Sequence, residues 1–527
     1  MAETYDAVII GAGHNGLVCG AYLAKAGLKV CILERRHVVG GAAVSEELWP
    51  GYTVSVASYV MSVLSPRVIA DLELKRHGFE VIPADHLFVP FPDGRYLVYW
   101  DDVKKTCAEF AKFSRKDAEA YPAFDRYLQE SAAVVRRLLY ETPPDPTTMK
   151  WRDLKDTFSL LWRYRKVGGR LYRIADLLTQ SVYDYLARWF ESDEVLALLS
   201  YYASIGTFAG PRSPGTAYVL LHHLMGEHGG AGGWGFMRGG MGSITRAIAA
   251  AAREHGAVIR TNAEIERVVV EGGRATGVAL KSGEVVAGKV IASNADAKTT
   301  FLRLVAEKEL PAEFLADLRG YRTFSTAFKI NLAVDEPPRF TAFKADEIGA
   351  RYPTYVHIGP SVDYLERAYD DAKYGMYSAR PFITPVVPSM VDDTVAPKGK
   401  HIVNLFGGHA PYALKGTTWA AEKDRFFDTV IDTVAEYAPN LRGSIIHKQV
   451  LTPPDLEALI GLPQGHIFHG ELALDQLFVQ RPAAHYANYR SPIRGLYQCG
   501  ASTHPGGGVM GIPGHNAARE ILKDLRR

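Results

Sequence analysis

Cysteine is scarce in this chain: only four occur in 527 residues, far apart and without a CxxC pair. This scarcity argues against a disulfide framework or a zinc site, and each cysteine is interpreted as a small buried hydrophobic residue. No run of eighteen apolar residues occurs, so no transmembrane helix is predicted. The first residues show no signal-peptide pattern. These absences predict a cytoplasmic protein without a metal site.

Excess charge of either sign is also nearly absent. The 60 Lys and Arg residues almost balance the 58 Asp and Glu residues, which leaves a net charge of +2. Domains that bind nucleic acid usually carry a marked basic excess, so no nucleic-acid partner is expected. The composition, 47% hydrophobic and 22% charged, is that of a globular protein, and the length favours two or three domains.

The amino-terminal segment has the pattern of a βαβ nucleotide-binding unit. Asp6–Ile10 is predicted as a buried parallel strand, and it runs directly into Gly11-Ala12-Gly13-His14-Asn15-Gly16, a GxGxxG motif that opens a helix. Gly11 permits a tight turn, Gly13 lets the backbone approach a pyrophosphate, and Gly16 allows close packing of helix and strand. The start of the helix directs N–H groups at the phosphates.

A second strand, Leu28–Leu33, ends at Glu34, whose carboxylate is placed to accept hydrogen bonds from ribose hydroxyls. The same carboxylate repels a 2′-phosphate, which disfavours NADP. The segment Gly230–Gly235 also matches GxGxxG. No strand precedes it and no acidic residue ends a following strand, so it is interpreted as a loop.

Features beyond the first unit favour FAD over NAD. Gly40 and Gly41 follow the ribose acid closely, and their backbone can pass near a cofactor, with Arg35 or Arg36 facing phosphate or adenine. Residues 238–296 have a pattern of one helix and several strands that resembles the part of glutathione-reductase-like FAD proteins that returns to the adenine, and this resemblance implies a contact between the adenine and the backbone of Val268. Near the carboxyl terminus, a strand ending at Gly500 leads into a glycine-rich turn and a helix. That turn is interpreted as the flavin end of the site.

Together the motifs VIIGAGHNG, ERRHVVGGAA, RGGMGSITRAIA and GLYQCGASTHPGGGVMGIPGHNAA resemble the phytoene desaturase family. The resemblance is closest to its phytoene dehydrogenase-related branch, the group called pyridine nucleotide-disulfide oxidoreductase domain-containing protein 2. It covers both ends and the middle, whereas residues 100–230 are not diagnostic. It implies non-covalent FAD, a fold shared with amine oxidases, and a hydrophobic substrate.

The fold expected from this resemblance is α/β, with a discontinuous glutathione-reductase-like, Rossmann-type FAD domain and an α+β substrate domain that has a helical part. Residues 1–70, 235–300 and 490–527 are assigned to the FAD domain, and residues 71–234 and 301–489 to the substrate domain. The predicted cofactor-binding residues are Gly11, Gly13, Asn15, Gly16, Glu34, Arg35, Gly41, Ala42, Val268, Asn294, Gly500, Val509, Met510 and Pro513.

Residues 151–173 form a basic and aromatic stretch. One interpretation is a peripheral membrane contact through which a lipophilic substrate enters; the other is a solvated face or a contact between subunits. The oligomeric state is open. The residues that give the stretch its character are Arg152, Lys155, Trp162, Arg163, Tyr164, Arg165, Lys166, Arg170, Tyr172 and Arg173.

For the chemistry, flavin accepts a hydride at N5 and the protein supplies orientation and, where needed, a base. His504 precedes the carboxyl-terminal glycine turn, at the end of a strand where such sheets bind ligands, and is the catalytic candidate. Alternatively it only shapes the loop. His466 and His469 come next, with a structural role favoured over metal binding.

Gln476 and Arg481 are further polar candidates, and the adjacent His222 and His223 are assigned no role. The expected reaction is desaturation of an apolar small molecule. Because no second dinucleotide unit has full context, oxygen or a quinone is the expected electron acceptor. Three alternatives stay open: an amine oxidase, a protein in which FAD is structural, and redox-neutral flavin chemistry.

Overall fold

The computed structural model describes residues 4–84, 86–145, 147–148, 151–226 and 234–526. The side chains of Arg152, Arg170 and Leu171 also lie outside the description. Residues 230–233 of the predicted loop Gly230–Gly235 also lie outside the described residues, so the loop stays a prediction there. Its last two residues, Trp234 and Gly235, belong to the strand Trp234–Met237 and not to a loop.

The larger of two main sheets combines strands from both ends and the middle of the chain. Five of its strands are parallel, and their last residues, such as Ile10 beside Leu33 and Ser293 beside Gln498, meet at one edge. Two antiparallel strands extend the sheet. The order is Ile265–Glu271, Arg274–Leu280, Val285–Ser293, Thr4–Ile10, Val30–Leu33 and Val258–Arg260, with Leu496–Gln498 beside the end of Val285–Ser293.

Both faces of this sheet are covered, which explains why its first strand is apolar at every position from Ala7 onward. Ala7 and Ile9 point into one core, and Val8 and Ile10 into another on the opposite face, as the two-residue period of a strand requires. Three helices cover the first face: His14–Lys25, Gly242–Glu254 and Ile512–Leu525.

The second main sheet is antiparallel, in the order Phe382–Val386, His401–Gly408, Phe328–Val334 and Ile445–Leu451. Its strand Phe328–Val334 is entirely buried. Phe328 and Ile330 pack on the helix Trp419–Ala435. Their neighbours therefore point the other way, and Asn331 on that side donates a hydrogen bond to the carbonyl of Val56.

Short strand pairs and helices complete the structure. The strand pairs are Ser45–Trp49 with Tyr52–Ser55, Val81–Ala84 with Trp234–Met237, and His86–Pro90 with Tyr96–Trp100. The other α-helices are Pro66–Asp71, Val103–Phe110, Arg115–Leu139, Trp151–Tyr164, Arg170–Thr179, Val182–Leu186, Asp193–Ser204, Ala217–His223, Ala297–Thr299, Ala312–Gly320, Ala345–Ile348, Val362–Lys373, Leu441–Ser444 and Pro453–Ile460. No helix within the described ranges is both long and apolar enough to cross a membrane.

The long helix Arg115–Leu139 begins at a side-chain cap. Ser114 accepts a hydrogen bond from the backbone N–H of Asp117, which fixes the start of the helix at Arg115. The predicted domain boundaries stay a prediction, although all three segments assigned to the FAD domain do contribute strands to the larger sheet.

Candidate cofactor cleft and apolar cavity

A cleft of about 390 Å³ opens at the edge where the parallel strands end. Ligands of open α/β sheets bind at this edge, because helix starts and loops converge there. The predicted cofactor-binding residues that line the cleft are Gly11, Gly13, Asn15, Glu34, Arg35, Gly41, Ala42 and Asn294.

Glycine is required on the floor of this cleft for steric reasons. A Cβ on Gly13 would lie 2.8 Å from Nδ2 of Asn294, and a Cβ on Gly16 would overlap the carbonyl oxygen of Gly11. A Cβ on Gly500 would lie 2.6 Å from the carbonyl oxygen of Asn294. Gly16 and Gly500 thus allow close packing behind the cleft, while Gly13 keeps the cleft itself open.

The first helix begins at this floor without a side-chain cap. Its N-cap is Gly13, and no side chain accepts a hydrogen bond from its first N–H groups. Those groups and the helix dipole favour a phosphate. His14 Nε2 and Asn15 Oδ1 are also buried without a hydrogen-bond partner on the same wall. These unsatisfied groups fit a polar ligand such as the pyrophosphate and ribose of FAD.

Glu34 is held in place by the backbone. Its Oε2 accepts a hydrogen bond from the N–H of Ala12 at 2.8 Å, and its Oε1 accepts one from the N–H of Arg36 at 3.0 Å. A carboxylate oxygen can accept more than one hydrogen bond, so ribose hydroxyls can still be bound.

The two arginines after Glu34 have different environments. Arg35 donates to the carbonyls of Ala458 and Leu459, at the end of a helix, at 3.2 and 3.3 Å. Arg36 pairs with Glu46 at 2.6 Å, and its Nη1 is buried without a partner on the cleft wall. Arg36 is therefore the better placed of the two to donate a hydrogen bond to the cofactor.

Val268 does not line the cleft, although its backbone was predicted to contact adenine. The strand Ile265–Glu271 starts at the cleft and runs away from it, so Val268 is about 10 Å farther along than Ile265. Val268 is instead paired with Val278 inside the sheet. Ile265 and Glu266 line the cleft in its place.

The predicted cofactor-binding residues near the carboxyl terminus also differ in whether they line the site. Gly500, Met510 and Pro513 line neither the cleft nor the cavity described next, and Pro513 is in the first turn of the last helix. Ala501 lines both, and Val509 lines the cavity. Val509 adopts a φ of 61°, in the left-handed region that β-branched residues rarely adopt.

An apolar cavity of about 130 Å³ adjoins the cleft. The two spaces share walls formed by His14, Ala42, Leu462, His469 and Ala501. The described residues that line the cavity include no aspartate or glutamate. Its aromatic lining consists of Tyr59, Trp234, Phe328, Phe406 and Phe468.

Lys329 is the one lysine or arginine among the described residues that line the apolar cavity. Its side chain is buried, Nζ has no hydrogen-bond partner, and Nζ lies 4.7 Å from the centre of the Tyr59 ring. Burial lowers the pKa of Lys329 well below its usual 10.5, which favours the neutral amine, the form that can accept a proton. Sequence reasoning missed this residue; the signal was a lysine inside the apolar strand sequence STAFKINLAV.

Four imidazoles also border the cavity. Burial lowers the pKa of His14 and His222 to about 3, and that of His223 and His469 to about 4, so all four are neutral near pH 7. His222 and His223 were expected to have no role because neighbours on a helix point apart. Both nevertheless reach the cavity, with their rings edge to face at 5.4 Å.

His504, the predicted catalytic residue, lines neither space. Its Nε2 donates a hydrogen bond to the carbonyl of Leu138 at 2.9 Å, and its own carbonyl accepts one from Tyr489. Burial lowers its pKa to about 4, so the ring is neutral. This geometry supports the alternative in which His504 shapes the loop.

Replacing His504 with glutamine is expected to change the rate of flavin reduction by less than about threefold, since the ring is remote from both spaces. The variant should mainly lose thermal stability. Stopped-flow reduction and a thermal melt of the FAD-loaded variant measure both quantities. A hundredfold slower reduction at full FAD content would restore His504 as a catalytic residue.

Arg481, another polar candidate, is a structural residue. Its buried guanidinium donates to the carbonyls of Phe468 and Ala501, at 2.8 and 2.9 Å, and to others nearby. It thereby ties the loop that carries His469 to the end of the larger sheet. Gln476 makes two hydrogen bonds with the backbone of Arg322 and has a similar role.

Comparison with known proteins identifies the family. The profile of the family described as flavin containing amine oxidoreductase matches residues 16–522. Pyridine nucleotide-disulfide oxidoreductase domain-containing protein 2 of Rattus norvegicus is 40% identical, over 99% of this chain and 94% of that protein. This match confirms the predicted resemblance.

More distant relatives cover the whole chain as well. A limonene dehydrogenase component of Castellaniella defragrans is 27% identical, over 99% of this chain and 95% of its own. A lycopene-forming phytoene desaturase of Pseudescherichia vulneris is 26% identical, over 96% of each chain.

Among solved structures, putrescine oxidase bound to putrescine superposes over 100% of both chains with a TM-score of 0.61 and 15% identity. At that identity the likeness concerns the fold, and it confirms the predicted combination of a Rossmann-type FAD domain with a substrate domain. The chain belongs to the flavin-containing amine oxidoreductase family and is an FAD-dependent oxidoreductase.

Proposed function

We propose that this protein dehydrogenates a small apolar molecule, introducing a carbon–carbon double bond. The observation that carries the proposal is the apolar cavity that shares five wall residues with the cofactor cleft. A substrate held there lies next to the place where the cleft residues would hold the flavin end of FAD.

The size of the cavity limits the substrate. An engineered protein cavity of about 150 Å³ binds benzene, so a space of about 130 Å³ suits a ring or chain segment of roughly six carbon atoms, which can be one end of a larger apolar molecule. Limonene and phytoene, which the names of two relatives mention, are both larger than this segment.

Different residues hold the cofactor, orient the substrate and accept the proton. Gly13, Glu34 and Arg36 hold the cofactor, and the aromatic wall around Phe406 and Phe468 orients the substrate and excludes water. When bound, FAD supplies a two-electron acceptor that takes a hydride from one substrate carbon. The neutral amine of Lys329 takes the proton from the neighbouring carbon. The electron pair of the C–H bond that loses the proton forms the new carbon–carbon double bond, and the hydride leaves with the electron pair of the other C–H bond.

The reduced cofactor must then be reoxidised. We propose oxygen or a quinone as the acceptor, because the only GxGxxG motif with the full βαβ context is the one that forms the cofactor cleft. Reoxidation rates of the photoreduced protein, measured with oxygen and with a water-soluble quinone, distinguish the two acceptors.

Amine oxidation is the second candidate, favoured by the fold shared with putrescine oxidase. The lining of the cavity argues against it. No carboxylate stands among the described lining residues to bind a protonated amine, and Lys329 would repel one whenever it is protonated.

The test is anaerobic reduction of the FAD-loaded protein by a panel of C10 terpenes, longer polyenes and amines, followed at the flavin absorption band. We expect a hydrocarbon to bleach the band within seconds and the product to gain one double bond by mass spectrometry. Bleaching by amines alone would establish amine oxidation instead. Bleaching by dithionite but by no organic compound would mean that FAD is structural.

A further inference from the structure

The helix Trp151–Tyr164 turns its apolar face to solvent. At 100° per residue, five of its large apolar side chains fall within one stripe about 100° wide. An ordinary surface helix buries such a stripe, and soluble proteins rarely expose a continuous apolar patch of this kind. The exposed members are Trp151 (80%), Leu154 (39%), Phe158 (68%), Leu161 (66%) and Trp162 (58%).

Aromatic side chains of the stripe contact one another and a neighbouring arginine. The rings of Phe158 and Trp162 are stacked with centres 6.4 Å apart, and the guanidinium of Arg165 lies 3.9 Å from the centre of the Trp162 ring. Beyond the helix, Tyr172 is also exposed. We call the stripe together with Tyr172 the aromatic ridge.

Positive charge is concentrated around the aromatic ridge. Residues 151–173 contain seven Lys and Arg and two Asp, a net charge of +5, although the whole chain carries only +2. Lys155, Arg165 and Lys166 are exposed beside the ridge. Aromatic side chains flanked by cations are the composition of a helix that lies in the interface of an anionic membrane.

The helix of the ridge is connected to the apolar cavity through a series of contacts. Arg163, on the other side of the same helix, pairs with Glu141 at 2.9 Å. The preceding Tyr140 lines a small side cavity of about 30 Å³, and Val63 lines both this side cavity and the apolar cavity.

We infer that the aromatic ridge docks this protein on a bilayer that contains anionic lipids, with the rings in the acyl–headgroup boundary and the cations on the headgroups. The inference goes beyond the proposed dehydrogenation and does not require it, since docking is independent of which apolar molecule is oxidised.

The test is co-sedimentation of the full-length, FAD-loaded protein with vesicles of phosphatidylcholine, with and without 30 mol% phosphatidylserine. We expect binding to the anionic vesicles that weakens as salt is raised. The double variant Phe158→Ser, Trp162→Ser should bind about tenfold more weakly, because it removes two buried rings from the interface. Arg165→Glu, Lys166→Glu should lose the preference for phosphatidylserine.

Tyr374→Ser is the matched control, because Tyr374 is an aromatic residue of similar exposure outside the ridge. It should bind like the unmodified protein. Equal sedimentation with and without vesicles would overturn the inference, and so would unchanged binding of the Phe158→Ser, Trp162→Ser variant at full FAD content. If that variant instead turned a dimer into a monomer without any lipid binding, the ridge would be covered by a second copy of the chain.

Discussion

Replacing Lys329 with methionine is expected to slow flavin reduction by the organic substrate about 10²- to 10⁴-fold, the range by which a positioned acid or base accelerates proton transfer. The FAD content should not change, because Lys329 lines the apolar cavity and not the cofactor cleft. Methionine fills nearly the same volume but cannot accept a proton. Anaerobic stopped-flow reduction at saturating substrate measures the effect.

The same substitution is expected to raise the free energy of unfolding by about 1–3 kcal/mol, since it removes a buried amine that has no hydrogen-bond partner. The gain depends on pH. Between the lowered pKa of the folded protein and 10.5, the amine is protonated in the unfolded chain and neutral in the folded one, so folding must release a proton. This cost disappears as pH rises toward 10.5, and the stability difference between variant and parent should therefore shrink between pH 7 and pH 10.

Lys448→Met provides the control on the same sheet. Lys448 is exposed and pairs with Asp424, so its loss should alter neither the reduction rate nor the pH dependence of stability. If Lys329→Met reduced the flavin at the parental rate, Lys329 would not be the base, and His14 or His469 would be the next group to replace.

Replacing Gly13 with valine should have the largest effect on the cofactor. The added Cβ would lie 2.8 Å from Nδ2 of Asn294, and the two methyl groups would occupy the floor that a pyrophosphate must approach. We expect FAD affinity to fall at least 100-fold, or about 2.7 kcal/mol. The measurement is the flavin-to-protein ratio after purification, followed by titration of the apoprotein with FAD.

A variant that fails to fold would also lack FAD, so two comparisons are needed. Gly443→Val places the same side chain where a Cβ meets nothing within 4 Å, and it should keep its FAD. The double variant Gly13→Ala, Asn294→Ala removes the clash between the added Cβ and Nδ2 of Asn294, but the added methyl group still narrows the cleft. Normal FAD affinity in Gly13→Val, with the secondary structure intact, would contradict the assignment of this cleft.

The cofactor cleft was largely predictable from sequence because its parts are local. Gly13, Gly16 and Glu34 lie within one βαβ unit, where the spacing of the residues fixes their positions in space. Val268 lies outside the cleft because the sequence does not show where along the strand Ile265–Glu271 the cleft wall ends. That wall includes Ile265 and Glu266, whereas Val268 pairs with Val278 of the neighbouring strand.

The apolar cavity could not be predicted in the same way. Lys329, His14 and His222 come from different parts of the chain and meet only through tertiary packing. Helix periodicity argued against a role for the adjacent His222 and His223 in the site, because a helix directs adjacent side chains apart. Both line the cavity because the helix Ala217–His223 is buried at every position. The aromatic ridge was predictable as a composition, but only the structure reveals that its apolar side faces outward.

The arrangement of the larger sheet has a consequence for synthesis of the protein. The strand Leu496–Gln498 completes the sheet, and the helix Ile512–Leu525 packs against the helix that starts at Gly13. While a ribosome still holds residues 496–525 in its exit tunnel, the first nucleotide motif of the nascent chain therefore lacks its partner. Such non-local pairing is slow to form, and stable flavin capture must wait until those residues have emerged.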